Sequence, residues 1–120
     1  KTTQWLFVDL EAGVEHLGRG TISNVDGLII VSEPSFRSLQ TGSRISSLAF
    51  DLGLKNQRLV LNRSDIDFEP SSELSLPPVA ARIPSLESLA RQQQHTPSVL
   101  DLPDREYIDS ICASIVNSFE

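Results

Sequence analysis

A short polar segment that follows an apolar run holds the residues best suited to chemistry. Asp9 ends the run Trp5–Val8, and Gly13 lies four residues further along the chain. An aspartate at the tip of a buried strand can hold Mg²⁺ through the ion's water shell. A glycine lets the backbone approach a phosphate and donate an N–H to it. Because many strands end in an aspartate, the whole segment Asp9–Thr21, rather than Asp9 alone, indicates metal and phosphate chemistry.

Four apolar runs predict the strands that position such residues: Trp5–Val8, Leu28–Val31, Leu59–Leu61 and Val79–Ala81. Unbroken runs of this length are typical of strands buried on both faces, as in parallel sheets, and Trp5 is accordingly expected in the core. Ligands bind beyond the carboxyl ends of such strands. This rule selects the segments that follow the runs, namely Asp9–Arg19, Ser32–Ser35, Asn62–Ser64 and Arg82–Leu86.

Two helices are predicted between and after these runs. Apolar residues from Phe36 to Leu52 recur at helical spacing, with Ser35 able to cap the start and Gly53 able to end the helix. A last helix is expected over Arg105–Phe119, capped by Asp101 or Asp104. Its apolar stripe is Tyr107, Ile108, Ile111, Cys112, Ile115 and Phe119. The free thiol of Cys112 is therefore expected to be buried. Alternating strands and helices predict an α/β fold with a partial, doubly wound, mostly parallel sheet.

Composition excludes several classes of function. The 120 residues carry 10 basic and 16 acidic side chains, a net charge of -6, which argues against nucleic acid as a partner. No apolar run approaches the roughly 20 residues that span a bilayer. A single cysteine cannot form an internal disulfide and fits a reducing, cytoplasmic environment.

Acidic residues are concentrated in the second half of the chain. Four of them lie between Ser64 and Leu76 with no basic residue among them: Asp65, Asp67, Glu69 and Glu73. A solvated surface loop accounts for this stretch, and a carboxylate metal site is the alternative. Arg82 and Arg91 could lie near a bound ligand or on ordinary surface.

The string DLEAGVEHLGRGT at residues 9–21 resembles the switch II segment of the carbon monoxide dehydrogenase maturation ATPases, which assist nickel insertion. These ATPases belong with the Min-type septum-site ATPases and the nitrogenase iron protein in the deviant P-loop class. Three further matches follow: Glu33-Pro34-Ser35 after the second run, LAFDLG at residues 48–53, and LVLNR at residues 59–63. The resemblance covers about residues 5–63 and implies a P-loop NTPase-like sheet.

The resemblance also implies roles for individual residues. Asp9 would contact Mg²⁺ through water and Gly13 would sense the γ-phosphate of ATP, while Glu15, His16 and Arg19 would move with nucleotide state near a dimer interface. Asn62 would hydrogen-bond the adenine. The other expected nucleotide-binding residues are Arg63, which completes the Asn-Arg pair, Glu33 and Pro34 in the neighbouring loop, and Ile83 and Pro84, where the family has a proline loop near the adenine.

One part of the family pattern is missing from the sequence. It contains no Gly-x-x-x-x-Gly-Lys-[Ser/Thr] loop, and its lysines are Lys1 and Lys55 alone. That loop and its lysine provide much of the positioning and charge stabilisation in phosphoryl transfer. Residues 1–120 are therefore expected to be the C-terminal part of one deviant P-loop ATPase domain, from switch II to the last helix, inactive alone. The family's nickel-binding Cys-x-Cys pair lies upstream of switch II.

Three functions remain open. The first is part of a dimeric, Mg-ATP-dependent molecular switch that serves a client metalloenzyme, with nickel as a possible cargo. The second is a Min- or partition-type positioning ATPase, although the last helix has one arginine and three acids and does not resemble a membrane anchor. The third is a catalytically inert, truncated nucleotide-binding module. Without a P-loop strand beside it, the strand Trp5–Asp9 would keep an unpaired edge, so we expect the isolated chain to self-associate there.

Overall fold

A computed structural model describes residues 4–9, 25–65, 67–85 and 105–119. The elements in these ranges alternate along the chain: β1 (Leu28–Ser32), α1 (Phe36–Asp51), β2 (Gln57–Asn62), β3 (Val79–Ile83) and α2 (Arg105–Asn117). This order confirms the predicted α/β class. None of the helices described is long and apolar enough to cross a membrane.

The three strands form a parallel sheet in the order β1-β2-β3. β1 pairs with β2 in unbroken register from Leu28 opposite Gln57 to Ser32 opposite Leu61. The β2–β3 ladder has an irregularity after Leu59 and then runs to Asn62 opposite Ile83. Because all three strands point the same way, their carboxyl ends meet at one edge, as the sequence predicts.

Helix α1 begins and ends at the residues that the sequence indicates. Ser35 is the N-cap, and its Oγ accepts a hydrogen bond from the Ser38 N–H at 3.2 Å. Gly53 follows the helix with φ +102°, a left-handed conformation that glycine adopts without steric cost. Gly42 lets α1 approach β1, since a Cβ there would lie 3.4 Å from Ile30 Cγ2.

One face of the sheet holds the main core, and α1 covers it. Ile30, Leu39, Leu59 and Leu61 are buried together. Three apolar residues of the connection between β2 and β3 pack against the same cluster: Phe68, Leu74 and Leu76. In its described residues, this connection has neither helix nor strand, so loop side chains cover part of this face.

Helix α2 ends on the opposite face. Gln57 faces α1, because Ser46 Oγ donates to Gln57 Oε1 at 2.6 Å, and the next side chain, Arg58, points the other way. The Arg58 guanidinium donates to Ser118 O from Nε at 3.0 Å and from Nη2 at 2.6 Å, and it lies 4.8 Å from the centroid of the Phe119 ring. Helix α1 and the residues that directly follow α2 therefore lie on opposite faces of the sheet, which confirms the doubly wound arrangement.

The predicted first strand is wrong. Residues 4–9 have no strand in the structure, and the apolar side chains of this run are exposed, from 44% for Trp5 to 90% for Leu6. Trp5 stacks on Phe7 with ring centroids 6.5 Å apart instead of entering the core. A strand needs a hydrogen-bonded neighbour, and within the described ranges β1 pairs with β2 alone. An apolar run by itself does not supply that neighbour.

The predicted burial of Cys112 is also wrong. Ile111 is buried, but Cys112 is exposed and Tyr107 is 40% exposed. Helix α2 contacts β3, which is an edge strand. The sheet therefore covers the middle of the apolar stripe and leaves one flank in solvent.

Candidate functional site

The residues that follow the three strands form the candidate site. The strands end at Ser32, Asn62 and Ile83 along one edge of the sheet. We call the predicted ligand-binding residues at this edge the strand-end site: Glu33, Pro34, Asn62, Arg63, Ile83 and Pro84. The parallel pairing brings these six residues to the same edge, where open α/β sheets bind ligands.

Asn62 occupies the centre of the strand-end site. It is half-buried as the last residue of β2, and its Oδ1 accepts a hydrogen bond from the Arg63 N–H at 3.1 Å. An N–H can donate only to the amide oxygen, so this contact sets the orientation of the amide. No described residue accepts from Asn62 Nδ2. The amide thus offers a donor and a spare acceptor lone pair to a ligand.

Arg63 has a strained backbone. Its φ is +54°, the one positive φ at a non-glycine position among the described residues. An L-residue in this conformation costs roughly 1–2 kcal/mol, and such strain is concentrated at functional sites. The turn places Arg63 Nη1 3.7 Å from Glu33 Oε1, across the ends of β2 and β1. Because both side chains are more than half exposed, the ion pair adds about 0–1 kcal/mol, so its effect is mainly on side-chain position.

Ser64 holds the third strand end in place. Its N–H donates to the Ile83 carbonyl at 2.9 Å, two residues beyond the end of β2. Ser64 is 1% exposed, so water does not compete for this bond. Ile83 and Pro84 are half-buried and give the site an apolar side. A serine after a strand is common, and nothing in the sequence singled out this contact.

Arg82 ties a loop to the site. Its Nε donates to Phe68 O at 3.1 Å, and its Nη2 contacts Glu69 Oε1 at 2.6 Å. The side chain is 23% exposed, so Arg82 is neither an ordinary surface residue nor a free ligand-binding group. The sequence signal for this pairing is a lone arginine within an apolar run, preceded by an acidic stretch that contains no basic residue.

The acidic stretch behaves as a surface loop. Its four carboxylate residues are all exposed, and Glu69 pairs with Arg82. Across the described residues, no group of three His, Cys, Asp or Glu side chains comes close enough to hold a metal ion.

The predicted phosphate-binding residues lie apart from this geometry. Asp9 is exposed and makes no hydrogen bond or ion pair with the described strand-end residues. The other four predicted residues fall outside the described ranges: Gly13, Glu15, His16 and Arg19. The structure thus describes the base end of the predicted nucleotide site.

The parallel sheet, with helices on both faces and polar residues at its carboxyl edge, fits part of a P-loop NTPase-like fold. No protein-family model matches the chain. Among curated proteins, the chain is 51% identical over 63 residues to the carbon monoxide dehydrogenase accessory protein CooC of Rhodospirillum rubrum, which covers 52% of this chain and 24% of that protein. This similarity confirms the resemblance to the maturation proteins over half of the chain.

Two archaeal proteins show the same partial similarity. The chain is 46% identical over 63 residues to an uncharacterized ATP-binding protein of Methanocaldococcus jannaschii, covering 52% of this chain and 24% of that protein. A second uncharacterized ATP-binding protein of that organism is 44% identical over 55 residues, covering 46% and 22%. The chain therefore spans about a quarter of the length of the curated relatives it matches.

Proposed function

We propose that this chain is part of an ATP-binding molecular switch of the kind that assists carbon monoxide dehydrogenase maturation. The observation that carries the proposal is Asn62, whose oriented amide stands at the carboxyl edge of a parallel sheet with an Nδ2 donor that no described residue accepts. Similarity to two proteins described as ATP-binding, and to one described as a carbon monoxide dehydrogenase accessory protein, supports the choice of ligand and of process.

The strand-end site has the chemistry that an adenine requires. The edge of adenine presents an N–H donor next to a ring-nitrogen acceptor, and the Asn62 amide offers the complementary pair. Ile83 and Pro84 supply an apolar surface for the ring. The Arg63–Glu33 pair would border the base and hold the turn that orients Asn62.

The remaining roles concern the phosphates. Asp9 would bind Mg²⁺ through water, and Gly13 would donate its N–H to the γ-phosphate. Bound Mg²⁺ supplies charge neutralisation on the phosphate oxygens. Glu15, His16 and Arg19 would pass the nucleotide state to a second copy of the protein, in a cytoplasmic homodimer that acts on a client metalloenzyme with nickel as cargo.

A second function, nucleotide binding without hydrolysis, is favoured by one observation. The 120 residues contain no Gly-x-x-x-x-Gly-Lys-[Ser/Thr] loop. Since that loop contributes most of the phosphate positioning, this chain alone would sense nucleotide rather than hydrolyse it.

Titration with a fluorescent ATP analogue and Mg²⁺ tests the proposal. The wild-type chain is compared with Asn62→Ala and with Asn117→Ala, a matched control at an exposed position at the end of α2. We expect Asn62→Ala to weaken binding by about tenfold, since a paired hydrogen-bonding group contributes roughly 1–2 kcal/mol, and the control to bind as wild type. Equal binding by Asn62→Ala and wild type, or no binding by wild type, contradicts the proposal.

A further inference from the structure

The connection between β2 and β3 is fastened at two points close to the strand-end site. It leaves β2 after Asn62 and returns as β3 at Val79. Ser64 N–H donates to Ile83 O, and Arg82 holds Phe68 O and the Glu69 carboxylate. Both contacts join the first residues of the loop to the last residues of β3.

These contacts close a ring of chain next to the site. The loop leaves Asn62 and leads to Phe68 and Glu69, which the Arg82 guanidinium contacts. Arg82 precedes Ile83 in β3, and the Ile83 carbonyl accepts the hydrogen bond from Ser64 N–H, which closes the ring. Asn62 and Ile83 also face one another in the ladder. The distance between the amide of Asn62 and the apolar surface of Ile83 and Pro84 therefore depends on this ring.

We infer that Arg82 is a positioning residue for the base pocket, and this inference rests on the proposed function. By holding Phe68 and Glu69, Arg82 keeps the start of the loop against β3, so that Ser64 stays bonded to Ile83. The spacing of the two sides of the pocket is then fixed before a base enters. Arg82 acts through the loop and does not touch the base.

Arginine suits this task better than lysine. The planar guanidinium presents donors in several directions, and here Nε and Nη2 satisfy a carbonyl and a carboxylate on consecutive residues. Lysine would place one ammonium near Glu69 without a second, fixed donor for Phe68 O. Arg82 lies opposite Leu61 in the ladder, on the face that carries the core, so most of the side chain is shielded from water.

A role in positioning differs from a role in stability by its effect on selectivity. A loosened pocket accepts adenine and guanine more equally, because the edge contacts that distinguish them need a fixed spacing. If the ordered loop state that favours the ATP analogue falls to about a fifth of the population, apparent affinity for that analogue falls about fivefold. The preference falls with it because the loosened pocket no longer discriminates against the GTP analogue. Loss of stability alone would weaken the binding of both nucleotides equally.

The test measures Kd for fluorescent ATP and GTP analogues with Mg²⁺ on the full chain. The variants are Arg82→Gln, Arg82→Lys and Glu69→Gln, with Arg44→Gln as a control at an exposed position on α1. We expect Arg82→Gln to weaken ATP-analogue binding about fivefold and to lower the ATP-to-GTP preference. Arg82→Lys should be intermediate, and Arg44→Gln should match wild type. Circular dichroism shows whether each variant is folded.

The outcomes separate this inference from the proposed function. If wild type binds the ATP analogue and folded Arg82→Gln keeps both its affinity and its preference, the inference is overturned and the proposed function stands. If Arg82→Gln does not fold, Glu69→Gln decides: that carboxylate is 75% exposed, and an unchanged preference in this variant overturns the inference. If wild type binds neither analogue, both fail.

Discussion

Asn62 and Ile83 lie opposite one another as the last residues of the neighbouring parallel strands β2 and β3. The pairing sets a polar amide beside an apolar side chain at the sheet edge where ligands bind in this class of fold. The residues that directly follow these two strands complete the site: Arg63 and Ser64 after β2, and Pro84 after β3. The position of the site thus follows from the register of two strands.

Arg63 offers a test of the strained turn. Replacing it with glycine should relieve the left-handed conformation, whereas Arg63→Ala keeps the strain. Both variants lose the Glu33 ion pair, so that loss cancels in the comparison. We expect Arg63→Gly to be more stable than Arg63→Ala by about 1 kcal/mol. Urea unfolding of the two variants measures this difference. An alanine variant that is equally stable or more stable would show that the turn carries no strain.

Gly27 and Phe119 are expected to be coupled. A Cβ at Gly27 would lie 2.7 Å from the Phe119 ring, which also stacks on Arg58. Gly27→Ala should therefore destabilise the fold by about 1–3 kcal/mol. The same change in a Phe119→Leu background should cost less, because the clashing ring atoms are gone. Equal costs in both backgrounds, measured by chemical denaturation, would argue against this packing.

The core under α1 should respond strongly to truncation. Leu59 is fully buried in the cluster with Ile30 and Leu39. Leu59→Ala should lower the free energy of unfolding by about 2–5 kcal/mol. Val31, on the same sheet but 63% exposed, is the matched control, and Val31→Ala should change stability by about 0.5 kcal/mol or less. Similar losses in both variants would contradict the assignment of the core.

The sequence anticipates most of the fold because local signals and packing agree there. Ser35 and Gly53 bound α1 as predicted, and the runs at Leu28, Leu59 and Val79 begin or lie in strands. The prediction of a strand at Trp5–Val8 is wrong because composition indicates a strand but does not provide its hydrogen-bonded neighbour. The prediction that Cys112 is buried is wrong because a helical stripe does not reveal how wide a surface covers it.

Part of the candidate site could be predicted from the sequence and part could not. Asn62 and Ile83 could be predicted, since the rule for strand ends places them without knowledge of side-chain packing. The ring through Ser64 and Arg82 could not, because it depends on the path of a loop that carries neither strand nor helical periodicity. Contacts between residues 13 to 19 positions apart on such a loop leave little trace in spacing or composition.

Self-association remains a prediction, but it now depends on exposed apolar side chains rather than on an unpaired strand edge. The run Trp5–Val8 is not a strand edge, but it exposes four consecutive apolar side chains, and exposed apolar surface favours association. We expect light scattering to show oligomers that increase with concentration and decrease in Leu6→Lys. Leu48→Lys, at an exposed position on α1, is the control. A monodisperse monomer of wild type at high concentration would refute the prediction.

The most direct test of the central claim is an NMR titration of the ¹⁵N-labelled chain with Mg-ATP. We expect the largest chemical-shift changes at the Asn62 side-chain amide and at the backbone amides of Arg63, Ser64 and Ile83, with smaller changes for Mg-GTP. Signals from the C-terminal end of α2, which lies beside Arg58 near the amino end of β2 and away from Asn62, should stay in place. If millimolar Mg-ATP leaves the Asn62 amide unmoved, or shifts α2 instead, the strand-end site is not the nucleotide site.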